Sequence, residues 1–299
     1  MRFFDLHCDT LTKFYNSKQS LLNGDGDVNF LKSNVFETYK QLFAIFIEDD
    51  MRGEIAWNYF LNNVKFLNEQ ISEHSQYKNN VILSVEGGAA LGGNLLRIEK
   101  MRELGVKALT LTWNGENEIG YGVSNNLGLK PLGVEAVKVL ELNNIVVDVS
   151  HLSEKGFYDV AKIANKPFVA THSNSRFICE NKRNLTDDQF TIIRDVKGLV
   201  GINFYTEFIG KSGDYTANLL KHIEHFLHLG GEDVLAIGSD FDGCDIDDSL
   251  NSLDKVPSLF EICKNEFGVQ IAENIFYNNA YKFFKGSEVV ELQKHSFKH

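Results

Sequence analysis

The sequence has no apolar run long enough to cross a membrane, since a spanning helix needs about 18 to 20 consecutive apolar residues. Its start, MRFFDLHCDT, lacks the apolar stretch of roughly 7–15 residues that a secretory signal peptide carries. The polar C-terminus, LQKHSFKH, is not a lipid-anchor signal. We therefore expect a soluble, cytoplasmic protein without a membrane partner.

Cysteines are scarce, and acidic residues outnumber basic ones by 41 to 30. Four cysteines are scattered over 299 residues without a CxxC pair, and a chain of this size needs no disulfide framework, so we expect reduced thiols. The formal net charge of −11 argues against the clustered Lys and Arg that nucleic acid binding requires. Nucleic acid is therefore not expected as a partner.

Linkers, repeats and low-complexity tracts are also absent from the sequence, so nothing in it marks a domain boundary. With 43% hydrophobic residues the chain can bury a sizeable core, and its length is ordinary for one large barrel. We expect residues 1–299 to form a single domain.

Eight short apolar, β-rich runs recur along the chain and are separated by longer amphipathic segments. The runs are RFFDLH near residue 4, QLFAIFI from 41, VILSVE from 81, VKALTLT from 106, NIVVDVSH from 144, KPFVATH from 166, GLVGINFY from 198 and VLAIGSD from 234. Eight strands alternating with helices predict a closed parallel (β/α)8 barrel of the TIM type.

The helices of this barrel have recognisable starts. Ser153 and Thr186 are typical N-caps, and the second is followed by acidic residues in the first turn. Residues 51–75 and 257–285 also read as helical, and the second segment follows the last strand. The polar, Gly-rich residues 114–130 predict a long loop after the fourth strand that contributes to a substrate pocket.

Side chains of the types that bind metals stand where the apolar runs stop. They are His7, Asp9, Glu86, His151, His172 and Asp240. Because the C-terminal strand ends of a barrel open onto one face, we expect these residues to gather around one pocket. The alternation of an extended segment puts His7 and Asp9 on one side and Cys8 on the other, where a packed thiol is expected.

Three imidazoles and three carboxylates suit two zinc-type divalent ions better than one, with Glu86 as the bridging candidate. Two ions about 3.5–4 Å apart can hold a hydroxide, polarise a carbonyl and stabilise a tetrahedral oxyanion, as amide hydrolysis demands. Asp240 would then serve as the proton shuttle, although in isolation a turn-capping acid in SDFDG is the favoured interpretation, by roughly two to one. Mn, Co and Fe are also compatible with such a ligand set.

Three other histidines, His222, His225 and His228, lie in KHIEHFLHLG at helical spacing. We expect them on a solvated helix face and assign them no role in the metal site.

Taken in order, the motifs resemble the membrane (renal) dipeptidase family, zinc peptidases of the amidohydrolase type. The motifs are DLHCDT at 5–10, SVEGG at 84–88, LTLT at 109–112, DVSH at 148–151, THSN at 171–174, KRN at 182–184, GINFY at 201–205 and GSDFDG at 238–243. The lack of a signal and an anchor resembles the soluble bacterial members.

The resemblance implies roles for individual residues. His7 and Asp9 would bind one metal, His151 and His172 the other, and Glu86 would bridge them. Asp240 falls on the family's catalytic acid.

The same resemblance implies three substrate contacts. Arg183 would bind the C-terminal carboxylate of the substrate, because its planar guanidinium can donate two parallel hydrogen bonds to a carboxylate. Tyr205 resembles a residue of the pocket wall. Trp113 departs from the pattern, because the family commonly has a histidine there that helps to stabilise the oxyanion. The indole donates a single N–H from a different place, so we expect this departure to affect the substrate range and the rate but not the metal site.

Three functions are compatible with these residues. The first, which we favour, is a dipeptidase that requires a free C-terminus; family members differ in whether they accept a D-residue there, dehydropeptides or β-lactams. The second is another binuclear hydrolase on the same barrel, acting on lactones, cyclic amides or phosphoesters. The third is a catalytically lapsed protein that binds metal or peptide. Relatives are often homodimers, which is the sole ground for expecting a homodimer here.

Overall fold

Eight parallel strands close into a barrel in the computed structural model, which describes residues 1–210 and 213–285. The strands are β1 (Arg2–Cys8), β2 (Thr38–Phe46), β3 (Val81–Glu86), β4 (Val106–Thr110), β5 (Val146–Asp148), β6 (Val169–Ala170), β7 (Leu199–Ile202) and β8 (Leu235–Ile237). Each strand pairs with the next along the chain, and β8 pairs with β1 through Ile237 and Asp5. All eight predicted strands are present, and the (β/α)8 prediction is confirmed.

Helices fill the connections between the strands. They are α1 (Thr10–Ser17), α2 (Gly53–Glu73), α3 (Leu96–Glu103), α4 (Pro131–Leu142), α5 (Glu154–Ile163), α6 (Asp187–Asp195), α7 (Thr206–Ile209), α8 (Tyr215–His228), α9 (Val256–Phe267), α10 (Val269–Glu273) and α11 (Asn279–Phe284). A π-helical turn, Asn274–Asn278, joins α10 to α11. Of the described helices, none is both long and apolar enough to span a bilayer.

The predicted helix starts are confirmed by their caps. The Ser153 hydroxyl accepts a hydrogen bond from the backbone N–H of Gly156 at the start of α5. Thr186 forms a reciprocal capping box with Gln189 at the start of α6, which satisfies two otherwise unpaired backbone groups. The predicted loop 114–130 lies between β4 and α4.

The apolar core has two layers, one inside the barrel and one between the strands and the helices. Inside, Phe4, Leu6 and Leu42 pack with Tyr277 and Phe284 from the C-terminal helices. Phe4 lies near the start of β1, so the C-terminal helices cover the N-terminal end of the barrel. The opposite end, where the strands finish, is left to polar side chains. Cys8 is buried in the outer layer, as predicted.

The expectation of a solvated face for the histidines of α8 is wrong for His222, which is fully buried. Its Nδ1 accepts the backbone N–H of Ser175 at 3.1 Å, and its Nε2 contacts the carbonyl of Ile209 at 3.0 Å. The same spacing describes a buried stripe as well as a solvated one, and α8 packs against β7. His225 is partly covered, and His228 is exposed as expected.

Candidate metal centre

Five strand ends bring their polar side chains to one point at the C-terminal mouth of the barrel. His7 lies in an irregular stretch of β1, where the register with β2 shifts between Asp5 and Cys8. Its Nε2 is 3.4 Å from Asp9 Oδ2, 3.5 Å from Glu86 Oε2 and 3.8 Å from Asp240 Oδ1. The carboxylates therefore converge on one imidazole nitrogen.

Glu86, the last residue of β3, lies between the two halves of the site. One carboxylate oxygen, Oε2, faces His7, and the other, Oε1, is 2.8 Å from His151 Nε2 and 3.5 Å from His172 Nε2. The two imidazole nitrogens of His151 and His172 are themselves only 2.9 Å apart. Each oxygen of one carboxylate thus faces a separate group of potential metal ligands.

Three overlapping sets of three residues have their ligand atoms within 4.8 Å of one another inside each set. They are His7 with Asp9 and Glu86, Glu86 with His151 and His172, and His7 with His172 and Asp240. All six residues are at least about nine-tenths buried. The structure thus brings together all six metal-type residues that the sequence singles out.

The backbone is unusual at two of these positions. His151 and Asp240 have φ angles of 65° and 66°, in the left-handed region that non-glycine residues seldom occupy. Such conformations cluster at functional sites because the surrounding structure must enforce them. Gly243 completes the tight packing, since a Cβ at that position would lie 2.1 Å from Asp9 Oδ2.

Burial and the charges of neighbouring groups shift the pKa values of the carboxylates and of His7. Burial, together with the negative charge of Glu86, raises the pKa of Asp9 to about 7. Burial alone would lower the pKa of His7, but Glu86 and Asp9 outweigh it and hold that pKa well above its usual value. Burial likewise opposes ionisation of Glu86, yet His7 and His151 keep its pKa well below the usual range. The cluster therefore stabilises positive charge at its centre.

The other two imidazoles are held neutral, as metal ligation requires. Burial lowers the pKa of His172 well below its ordinary value, and the positive charges of His7 and Arg183 lower it further. Burial followed by the charge of Arg183 also lowers the pKa of His151.

The residues present fit divalent metal ions. His7 Nε2 and Asp9 Oδ1 are buried and have no hydrogen-bond partner within residues 1–210 and 213–285, which is costly unless another group satisfies them. Imidazole nitrogens with carboxylate oxygens are a donor set typical of zinc and related ions.

Hydrogen bonds behind two of the imidazoles fix which ring nitrogen faces the cluster. His151 Nδ1 lies 2.9 Å from Asn114 Oδ1, and His172 Nδ1 lies 2.9 Å from Thr171 Oγ1. An acceptor at Nδ1 places the ring proton there and leaves the Nε2 lone pair directed at the site. Asn114 was not foreseen from the sequence, where it follows Trp113 in the loop after β4.

Asp240 is held by a residue that the sequence reading also missed. Asn203 donates from Nδ2 to Asp240 Oδ2 at 2.9 Å, so that Oδ1 faces His7. Asn203 is fully buried and is itself fixed, because its backbone N–H donates to Asn174 Oδ1 and its own Oδ1 accepts the N–H of Tyr205. Its place in GINFY, two residues before Tyr205, was the only available signal.

The candidate substrate-binding residues of the protein lie around this cluster at different distances. Arg183 is buried, and its charge acts on His151 and His172; its Nη2 donates to the carbonyl of His172 at 3.3 Å. Trp113 is half-buried, with its ring centroid 6.3 Å from that of His151. Tyr205 is half-buried at the end of β7 and packs against Phe208, 4.7 Å between ring centroids.

Comparison with known proteins gives one family for the whole chain. Residues 1–297 match the model of the membrane dipeptidase family (peptidase family M19). An uncharacterised Klebsiella pneumoniae protein from the region 5′ of pqqA is 31% identical over 219 residues, which span 69% of this chain and 81% of that protein. A Schizosaccharomyces pombe protein described as an uncharacterised dipeptidase is 30% identical over 251 residues, 78% of this chain and 60% of its own length.

Solved structures with the same architecture cover nearly the whole chain. A metallo peptidase from Rhodobacter sphaeroides, liganded with a phosphinate mimic of the dipeptide L-Ala-D-Ala, superposes with a TM-score of 0.86 at 25% identity, over 95% of this chain and 99% of that one. A structure described as the dipeptidase AC, a metallo peptidase of family M19, has a TM-score of 0.87 at 27% identity, over 96% and 99%.

Proposed function

We propose that this chain, which belongs to the membrane dipeptidase family (peptidase family M19), hydrolyses dipeptides with two divalent metal ions bound at the mouth of its barrel. Membership of the family makes the chain a metallopeptidase. The observation that carries the finer proposal is the position of Glu86, whose two carboxylate oxygens face separate groups of imidazole and carboxylate ligands.

The proposed ligands divide into two sets. His7 and Asp9 would hold one ion, His151 and His172 the other, and Glu86 would contact both. When bound, two such ions supply Lewis acidity toward a carbonyl oxygen and lower the pKa of water, so that a nucleophile is available at neutral pH. Zinc is the proposed metal, since the donors are nitrogen and oxygen atoms of the types it prefers.

Arg183 is proposed to fix the free carboxylate of the substrate. Its Nε has no hydrogen-bond partner among the described residues, so the guanidinium retains donors for a bound anion. A planar fork binds a carboxylate through two parallel hydrogen bonds. Trp113 and Tyr205 are proposed as walls of the same pocket, because each presents an aromatic ring at the end of a barrel strand.

Asp240 is proposed to move the proton. Asn203 donates a hydrogen bond to Oδ2 of its carboxylate, and Oδ1 is directed at the cluster. From there the carboxyl group would take a proton during attack on the peptide carbonyl and give it to the leaving amine, which is general acid–base catalysis by one positioned group.

The test is a comparison of initial rates on purified protein loaded with zinc. L-Ala-L-Ala, L-Ala-D-Ala, their C-terminal amides, a lactone and a phosphomonoester should be assayed side by side with an Asp240→Asn variant of equal metal content. We expect cleavage of the free dipeptides and a preference for the free acid over the amide. A preference for the lactone or the phosphoester would indicate a different hydrolase, and a fully loaded protein inactive on every substrate would indicate a lapsed enzyme.

Three further expectations stay predictions. They are one domain over residues 1–299, a cytoplasmic location and a homodimer. Sedimentation velocity tests the last, and limited proteolysis tests the first, because a single domain should yield no stable large fragment.

A further inference from the structure

Asp148, the last residue of β5, forms hydrogen bonds that link the ends of three strands beside the cluster. Its side chain is buried, and Oδ1 accepts the backbone N–H groups of Ser150 and Thr171, each at 3.0 Å. Oδ2 accepts the hydroxyl groups of Thr110 and Thr171, each at 2.6 Å. These four donors are neutral, so the carboxylate is held by hydrogen bonds from β4, β5 and β6 and not by an ion pair with any of them.

These distances show which acceptor the hydroxyl proton of Thr171 faces. A carboxylate oxygen only accepts, so the single hydroxyl proton of Thr171 points to Asp148 Oδ2. The contact of 2.9 Å between Thr171 Oγ1 and His172 Nδ1 must then be donated by the ring N–H. In a neutral imidazole this leaves Nε2 without a proton, and Nε2 is the atom near Glu86 and His151.

We propose that Asp148 and Thr171 are positioning residues that hold His172 in the tautomer able to bind a metal ion. The inference rests on the proposed metal centre, but not on the identity of the substrate. Without the carboxylate, the Thr171 hydroxyl is free to donate to His172 Nδ1. The ring proton then moves to Nε2, where it blocks the lone pair that a metal needs.

Two substitutions interrupt the hydrogen bonds that run from Asp148 through Thr171 to His172, a third provides a matched control and a fourth tests rescue. Asp148→Asn is close to isosteric, but its amide donates to the Thr171 hydroxyl instead of accepting from it. Thr171→Val removes the hydroxyl with little change in shape. Thr110→Val removes a hydrogen bond of the same length to the same carboxylate oxygen but leaves His172 untouched. Thr171→Ser keeps the hydroxyl and should rescue binding.

The measurement is zinc affinity of chelator-stripped protein, determined by competition with a chromophoric chelator. Loss of a residue behind a metal-binding histidine weakens affinity about 10–100-fold. We expect this weakening for one of the two ions in Asp148→Asn and Thr171→Val, and wild-type affinity in Thr110→Val and Thr171→Ser. The ¹⁵N spectrum of the metal-free protein should show the His172 proton on Nδ1 in wild type and on Nε2 in Asp148→Asn.

Equal weakening in Thr110→Val and Thr171→Val would overturn the inference, since a general loss of packing would then explain both. Wild-type affinity in Thr171→Val would overturn it as well. If wild-type protein binds no zinc, the proposed metal centre and this inference fail together. If it binds two zinc ions with the expected order of variants but cleaves no dipeptide, only the proposed function fails.

Discussion

Arg183 offers the sharpest test of the substrate class. It is 7% exposed, its guanidinium lies over the Phe208 ring at 5.2 Å, and its one hydrogen bond from the guanidinium to the described residues is the 3.3 Å contact with the His172 carbonyl. We expect Arg183→Ala to impair cleavage of dipeptides that have a free C-terminus. The cause is the loss of the positive charge and of the fork of donors that would otherwise hold the carboxylate.

The size of the effect follows from the donors available. Two charge-assisted hydrogen bonds contribute about 1.5–3 kcal/mol each. A combined loss of about 3–6 kcal/mol corresponds to roughly 10²–10⁴-fold in kcat/KM, since each 1.36 kcal/mol is tenfold. Arg183→Lys should recover part of the loss, because it keeps the charge but not the bidentate geometry.

The assay compares kcat/KM for L-Ala-L-Ala and for its C-terminal amide in each variant. Wild-type protein should prefer the free acid strongly, and Arg183→Ala should lose most of that preference, while the exposed neighbour variant Lys182→Ala should retain it. Rates of Arg183→Ala close to wild type on both substrates would refute the proposed carboxylate contact. Equal loss on both substrates would point to a collapsed pocket instead.

Three further outcomes test the roles of Asp240, Asn203 and His222. Asp240→Asn should lower kcat about 10²–10⁴-fold in a steady-state dipeptide assay without changing the metal content, as expected for a lost general acid–base. Asn203→Ala should lower kcat more than it raises KM in the same assay, because it frees the carboxylate of Asp240 from its bond at Oδ2. Burial lowers the pKa of His222 from 6.5 to about 4. The unfolded chain therefore binds this proton first, stability is lost as pH falls from about 6.5 toward 4 by up to roughly 3 kcal/mol, and His222→Gln should flatten that part of the pH dependence of the urea midpoint.

The fold and the position of the cluster could be predicted because both follow from local patterns. Each apolar run ends at a polar residue such as Glu86 or His172, and parallel strands in a barrel finish at the same face. The spacing of His7 and Asp9 predicted a common side, and the structure brings them together at 3.4 Å. The register shift in β1 that accompanies this arrangement has no signature in the sequence.

Hydrogen bonds between distant residues could not be predicted in this way. Asn203 and Asp240 are 37 positions apart, and Asp148 and Thr171 are 23 apart, so the pairs exist only once the strands are aligned. His222 shows the same limit, since helical spacing gives the side of a helix but not what covers it. Asn203, Asp148 and Thr171 were overlooked because each acts through a neighbouring residue and does not itself carry one of the metal-type side chains of the cluster.

We propose that this cluster holds two metal ions and that both are required for dipeptide hydrolysis. The most direct measurement is the rate of L-Ala-L-Ala cleavage by chelator-stripped protein as zinc is added in known equivalents. We expect negligible activity without metal and a rise that ends near two equivalents per chain. A rise that ends at one equivalent would contradict the binuclear site, and activity that is independent of added metal in fully stripped protein would show that hydrolysis does not need the metal centre.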